Sequence, residues 1–142
     1  MFASHPKGSP MISKVNATLI MVKDFEASVK FYRDTLEFKQ GTDEEGFASF
    51  DIGDPTYILA VLDLTKAADM ISDEAVQPSK EFIPRSLFAV WLDDCDAEYE
   101  RLKAKGVNFI KPPTTQPWGQ RTAYFTDPDG NIWEISHFPP KS

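Results

Sequence analysis

Cysteine is nearly absent. Cys95 stands alone in 142 residues, so the chain closes no internal disulfide, and a reducing, cytoplasmic setting is expected. Histidine is almost as scarce: His5 and His137 are too few to build the common zinc or iron sites. No apolar run approaches the ~18 residues of a membrane-spanning helix, so no membrane partner is expected. The opening stretch from Met1 to Pro10 has no apolar signal core, which leaves secretion unsupported, and residues 1–14 read as a flexible arm or an expression remnant. Basic side chains are outnumbered 15 to 22, for a net charge of −7, which argues against a phosphate-backbone binder and therefore against a nucleic-acid partner. Gly41 and Gly46 form no phosphate-binding motif. What remains is 42% hydrophobic and 26% charged, the composition of one globular domain.

Periodicity then orders the chain. Val15 to Val22 is apolar and β-branched, the pattern of a strand buried on both faces. Phe25, Val29, Tyr32 and Leu36 recur at spacings of four, three and four, a helix with one apolar stripe and Asp24 as its N-cap. Short strands follow at 38–42, 47–52 and 57–62, the last two joined by the turn Gly53-Asp54-Pro55. Residues 63–85 read as a linker with a short helix near 64–71. The pattern then recurs: a strand at 87–92, an Asp93-Asp94 turn, and a helix with Cys95, Tyr99, Leu102 and Gly106 at the same spacings, offset by 70 residues. Val107 to Ile110 is a strand that Pro112 and Pro113 should end. Thr122 to Thr126 and Ile132 to Phe138 flank the tight turn Asp127-Pro128-Asp129-Gly130-Asn131. The reading is one domain over 15–138, with module one at 15–62 and module two at 86–138. Each half carries one helix and a four-stranded sheet, leaving one sheet face uncovered. Two such faces can close on each other or on a ligand.

Alternation assigns those faces. Phe88, Val90 and Leu92 suit the helix side, leaving Leu87, Ala89 and Trp91 on the other. Trp133 and Ile135 likewise suit the helix side, leaving Ile132, Glu134 and Ser136 opposite. A carboxylate in an apolar strand must be paired, coordinated or wet, so Glu134 is either a surface residue or a site residue. Phe50 faces the core only if Phe47 does not. Cys95 falls at a helix start, where a thiolate is favoured, but it also matches Phe25 in the repeated stripe and so reads as core.

Two stretches carry a likeness to a known family. In the first, Val22-Lys23-Asp24 leads into a helix bearing Phe31-Tyr32 and ending Leu36-Glu37-Phe38, with Glu37 where the family pattern has glycine. In the second, Asp127-Pro128-Asp129-Gly130-Asn131 precedes Ile132-Trp133-Glu134-Ile135. The chain from 15 to 138 thus resembles the vicinal oxygen chelate superfamily of glyoxalases, bleomycin-resistance proteins and extradiol dioxygenases. The resemblance implies an α+β fold of two βαβββ modules whose curved mixed sheet surrounds a cup, commonly in a homodimer whose cup lies within one chain or across two.

In metal-using members four strand residues converge on a divalent ion. Matched residue by residue, those positions fall on Ala17, Leu87, the apolar stretch 59–61, and Glu134. Only the last has a donor atom, and one carboxylate does not make a catalytic metal site, so no metal and no cofactor are expected. The segment Gln116-Pro117-Trp118-Gly119-Gln120-Arg121 resembles its counterpart in the metal-free bleomycin-resistance members, which bind and sequester a drug. The expected ligand-binding set is therefore Trp118, Trp91, Tyr57, Arg121, Glu134, Leu87 and Ala17. Trp118 is a stacking wall or a plug at a loop or dimer seam, and Arg121 pairs with an acidic ligand group or with Glu134. The expected partner is a small, mostly apolar or aromatic, cationic molecule. The alternatives are a metal-independent isomerase or lyase using Glu134 as general base, and, disfavoured, a metal-dependent glyoxalase or dioxygenase.

Overall fold

The computed structural model describes residues 15–73, 76 and 86–140. Strand β1 (Ala17–Val22) leads into helix α1 (Phe25–Lys30), which continues through one π turn over Phe31–Thr35. Asp24 caps α1 by accepting the Ala27 N–H at 3.0 Å. Strands β2 (Lys39–Glu44), β3 (Phe47–Asp51) and β4 (Ile58–Asp63) complete the first sheet, and α2 (Leu64–Met70) follows. The second module repeats the plan with β5 (Leu87–Trp91), α3 (Cys95–Ala104), β6 (Asn108–Thr115), β7 (Arg121–Thr126) and β8 (Ile132–His137). Asp94 caps α3 as Asp24 caps α1, and Gly106 takes the left-handed φ of 89° that ends it. Both sheets have the same order, β1-β4-β3-β2 and β5-β8-β7-β6, with β1-β4 and β5-β8 parallel and the other pairs antiparallel. The internal repeat is thus structural as well as periodic.

Two expectations are corrected. β1 is an edge strand with Met21 exposed, not a strand buried on both faces, because it pairs only with β4. β6 runs through Pro112 and Pro113 to Thr115. It too is an edge strand, and its pairing with β7 shifts register between Phe109 and Lys111 and again before Thr114, so the missing N–H groups break no ladder. The Tyr32 ring lies between Phe50 of the first sheet and Trp133 of the second, with centroids 5.9 and 5.7 Å away. The helix sides of the two sheets therefore turn toward one another. They share one core containing Ile20, Phe50, Val61, Phe125, Trp133 and Ile135. The other face of each sheet points away from that shared core, and the two mixed sheets frame a cup-shaped cavity at the seam of β1 and β5, as expected. Phe50 belongs to the core, and Phe47 lies on the outer face of the first sheet, where Leu19 and Leu62 also pack against α2. The expected loop at 77–80 and the arm at 1–14 lie outside the described residues.

The Asp127 turn joins the modules. Its carboxylate accepts the Tyr32 hydroxyl at 2.6 Å, the Asp129 and Asn131 backbone N–H groups at 3.0 and 2.8 Å, and the Asn131 amide at 2.8 Å. Trp133 donates its indole N–H to the same tyrosine oxygen at 3.1 Å. Burial first, and then the Asp127 charge, push the Tyr32 hydroxyl far above its ordinary range, so it remains a donor. Glu37, at the family's glycine position, adopts φ 62° and reaches Arg101 at 2.7 Å and Lys105 at 3.3 Å across the module boundary.

Candidate functional site

The outward face of the second sheet is read off in rows, because residues paired in register share a face. Thr122, Ser136 and Trp91 form one row, Tyr124, Glu134 and Ala89 the next, and Thr126, Ile132 and Leu87 the third. Glu134 therefore sits at the centre, one row (about 7 Å) from Trp91 on one side and Leu87 on the other. Tyr124 donates its hydroxyl to Glu134 Oε2 at 2.6 Å. Burial, followed by that bond, raises the Tyr124 hydroxyl, which keeps it protonated. On the other flank Ala89 offers only a methyl group.

The loop before β7 is tied to the same face. Gln116 donates to the buried Thr122 hydroxyl at 2.9 Å, and Gln120 donates to the buried Ser136 hydroxyl at 2.9 Å. Gln120 in turn accepts the Trp118 indole N–H at 2.9 Å. Trp118 is 65% exposed and Trp91 79% exposed, so both present ring surface to solvent. At the seam between the edge strands β1 and β5 lies a groove of about 1220 Å³. Leu19, Met21, Tyr57, Leu87 and Trp91 line it, together with the core rings of Phe38, Phe88 and Trp133. The Tyr57 and Thr18 hydroxyls are hydrogen-bonded to each other at its wall.

The sequence-derived residues thus divide. Tyr57, Leu87 and Trp91 line the groove. Glu134 lies on the outward face beside it, and Trp118 stands on the loop at that face's end. Ala17 is in β1, in register with Ile58. Arg121 does not meet Glu134. It pairs in register with His137 on the helix side, where its guanidinium binds Asp96 at 2.9 and 2.7 Å. Tyr124 and Gln120 were missed, although counting register back from the 127–131 turn places 124 opposite 134.

Other reactive candidates are absorbed by structure. Cys95 is fully buried with its thiol on the Ile135 carbonyl at 3.4 Å, and burial followed by the Asp96 charge pushes it up to about 11. It is therefore not the thiolate its helix-start position favours. His137 accepts the Cys95 backbone N–H through Nδ1 at 2.8 Å, serving the N-terminus of α3.

Ala60 pairs with Leu19 as Glu134 pairs with Ala89, so the first module's counterpart of Glu134 is an alanine. Ala17 and Leu87 are likewise without donors. Among the described residues no group of three or more His, Cys, Asp or Glu is placed to hold a metal. A divalent site built from N, O or S donors at about 2 Å does not fit this set.

Two similar βαβββ units, with Glu134 at the centre of the second sheet's outward face beside an aromatic and apolar cavity, define the scaffold class. A profile of the Glyoxalase/Bleomycin resistance protein/Dioxygenase superfamily matches residues 14–135, and the chain belongs to that superfamily. It is 32% identical over 119 residues to the uncharacterized protein YraH of Bacillus subtilis, covering 82% of this chain and 91% of that one. It is 26% identical over 125 residues to the metallothiol transferase FosB of Staphylococcus saprophyticus, covering 88% and 77%. The crystal structure of a glyoxalase/bleomycin resistance protein/dioxygenase from Nocardioides superposes with a TM-score of 0.78 at 29% identity, covering 95% of this chain and 89% of that one. No helix among the described residues is long and apolar enough to cross a membrane.

Proposed function

We propose that the chain binds and sequesters a small, largely aromatic, cationic molecule without a metal, as the bleomycin-resistance members of its superfamily do, in the cytoplasm. The observation that carries this reading is the donor count. At the four positions where metal-using relatives converge on an ion, this chain has Ala17, Ala60, Leu87 and Glu134. The chemistry in the name of the FosB relative is therefore not carried over. Exposed rings at Trp91 and Trp118 supply stacking surface, each ring contact being worth about 0.5–1.5 kcal/mol beyond burial. The exposed apolar side chains of Met21, Ile58, Leu87 and Trp91 on the outward faces support a homodimer in which a second copy completes the cup. Tyr57 and Leu87 at the seam then lie beside the covering copy.

A thermal-shift screen of drug-like and aromatic metabolites, followed by calorimetric titration, tests the binding claim. Saturable one-to-one binding that weakens in Trp118→Ala, with folding intact, is expected. No stabilisation by any aromatic compound overturns it. Light scattering tests the dimer, and a monomer at all accessible concentrations would remove the completed cup. The isomerase or lyase alternative requires Glu134 within about 3 Å of a substrate proton. Turnover lost in Glu134→Gln is the result that would favour it.

A further inference from the structure

Glu134 is half used. Tyr124 occupies Oε2, and among the described residues no hydrogen bond reaches Oε1. Arg121, the nearest arginine or lysine in sequence among the described residues, is bound to Asp96 on the other face of the sheet. The Ala89 methyl leaves the carboxylate open toward β5, and beyond it stand Trp91 and Leu87 in the adjoining rows. A carboxylate with one oxygen fixed and the other without a hydrogen bond, one row from an exposed indole, is complementary to an N–H donor carried by a flat ring.

Resting on the binding function argued above, we propose that this face selects aromatic ammonium compounds, with Glu134 Oε1 taking the ammonium and Tyr124 acting as the positioning residue that holds the carboxylate toward it. The ring lies against the Trp91 side of the face, and the ammonium forms a charge-assisted hydrogen bond that an alcohol or carboxylate of the same shape does not. Tyr124 sets the rotamer of Glu134 and touches no ligand atom in this arrangement. Its loss therefore reduces the preference between head groups while leaving ring binding unchanged.

The test uses three probes of one ring system, 2-naphthylmethylamine, 2-naphthylmethanol and 2-naphthoate, titrated calorimetrically into the full chain at neutral pH. The wild type should bind the amine about 10–100-fold more tightly than the alcohol, the range of a hydrogen bond to a charged group, and the naphthoate most weakly. Glu134→Gln, which keeps shape and removes charge, should bring amine and alcohol within about twofold. Tyr124→Phe should lower the amine-to-alcohol ratio about 3–10-fold with alcohol affinity unchanged. An amine preference that survives Glu134→Gln overturns the proposal, as does a Tyr124→Phe variant that weakens all three probes equally. Equal binding of the three probes by wild type sinks this selectivity alone. Binding of none sinks the binding function together with it.

Discussion

Replacing Tyr32 with phenylalanine removes one oxygen that serves two modules. The hydroxyl donates to the buried Asp127 carboxylate at 2.6 Å and accepts the Trp133 indole N–H at 3.1 Å. Asp127 keeps three donors from its own turn, so the turn should persist while its tie to α1 is lost. A hydrogen bond to a charged group is worth about 1.5–3 kcal/mol, and stranding a buried indole N–H adds about 1 kcal/mol, giving a loss of about 2–4 kcal/mol. At about 2–4 °C per kcal/mol for a chain of this length, Tm should fall by about 5–15 °C. Differential scanning calorimetry measures this, and near-UV circular dichroism verifies that native packing remains at low temperature. A Tm within about 2 °C of wild type would refute the claim that this oxygen links the modules.

Three further outcomes are expected. Cys95 should resist alkylation by iodoacetamide at pH 8 in the native protein and react promptly in denaturant, because burial holds it as a thiol; rapid native labelling, followed by mass spectrometry, would contradict this. The Arg121 guanidinium holds the Asp96 carboxyl below its ordinary 3.8, so the unfolded state binds the extra proton, and the pair stabilises the fold above about pH 4 and ceases to as pH falls through the depressed value. The stability gap between wild type and Arg121→Gln in urea titrations should therefore narrow below pH 4, and a gap that widens there would be wrong in sign. Glu37→Ala keeps a left-handed φ and loses the contacts to Arg101 and Lys105, so it should lower Tm below wild type and below Glu37→Gly, which relieves the backbone; a Glu37→Ala Tm equal to wild type would refute the role given to the ion pairs, and a lower Tm for Glu37→Gly would refute the backbone strain.

Local patterns were legible and long-range ones were not. The period of four, three and four around Tyr32 and Tyr99, the aspartate caps, and the split of Phe88 and Val90 from Leu87, Ala89 and Trp91 all depend on neighbours a few residues apart. The strand through Pro112 and Pro113 was not legible, because proline is excluded only from positions whose N–H must pair, and edge status is a property of the whole sheet. Arg121, expected to meet an acidic ligand group or Glu134, lies on the other face from Glu134, because an odd step along the strand moves a side chain across the sheet. The Tyr32–Asp127 bond spans 95 residues and had no sequence signal beyond the two motifs it joins. That the two sheets meet through their helix sides is a tertiary fact. It places the face that carries Glu134 on the far side of the second sheet from the shared core.

The most direct test of metal-free binding is a calorimetric titration of 2-naphthylmethylamine into the protein before and after dialysis against EDTA. The same one-site affinity in both conditions is predicted. Affinity that collapses on chelation and returns with one equivalent of a divalent transition metal would contradict the account.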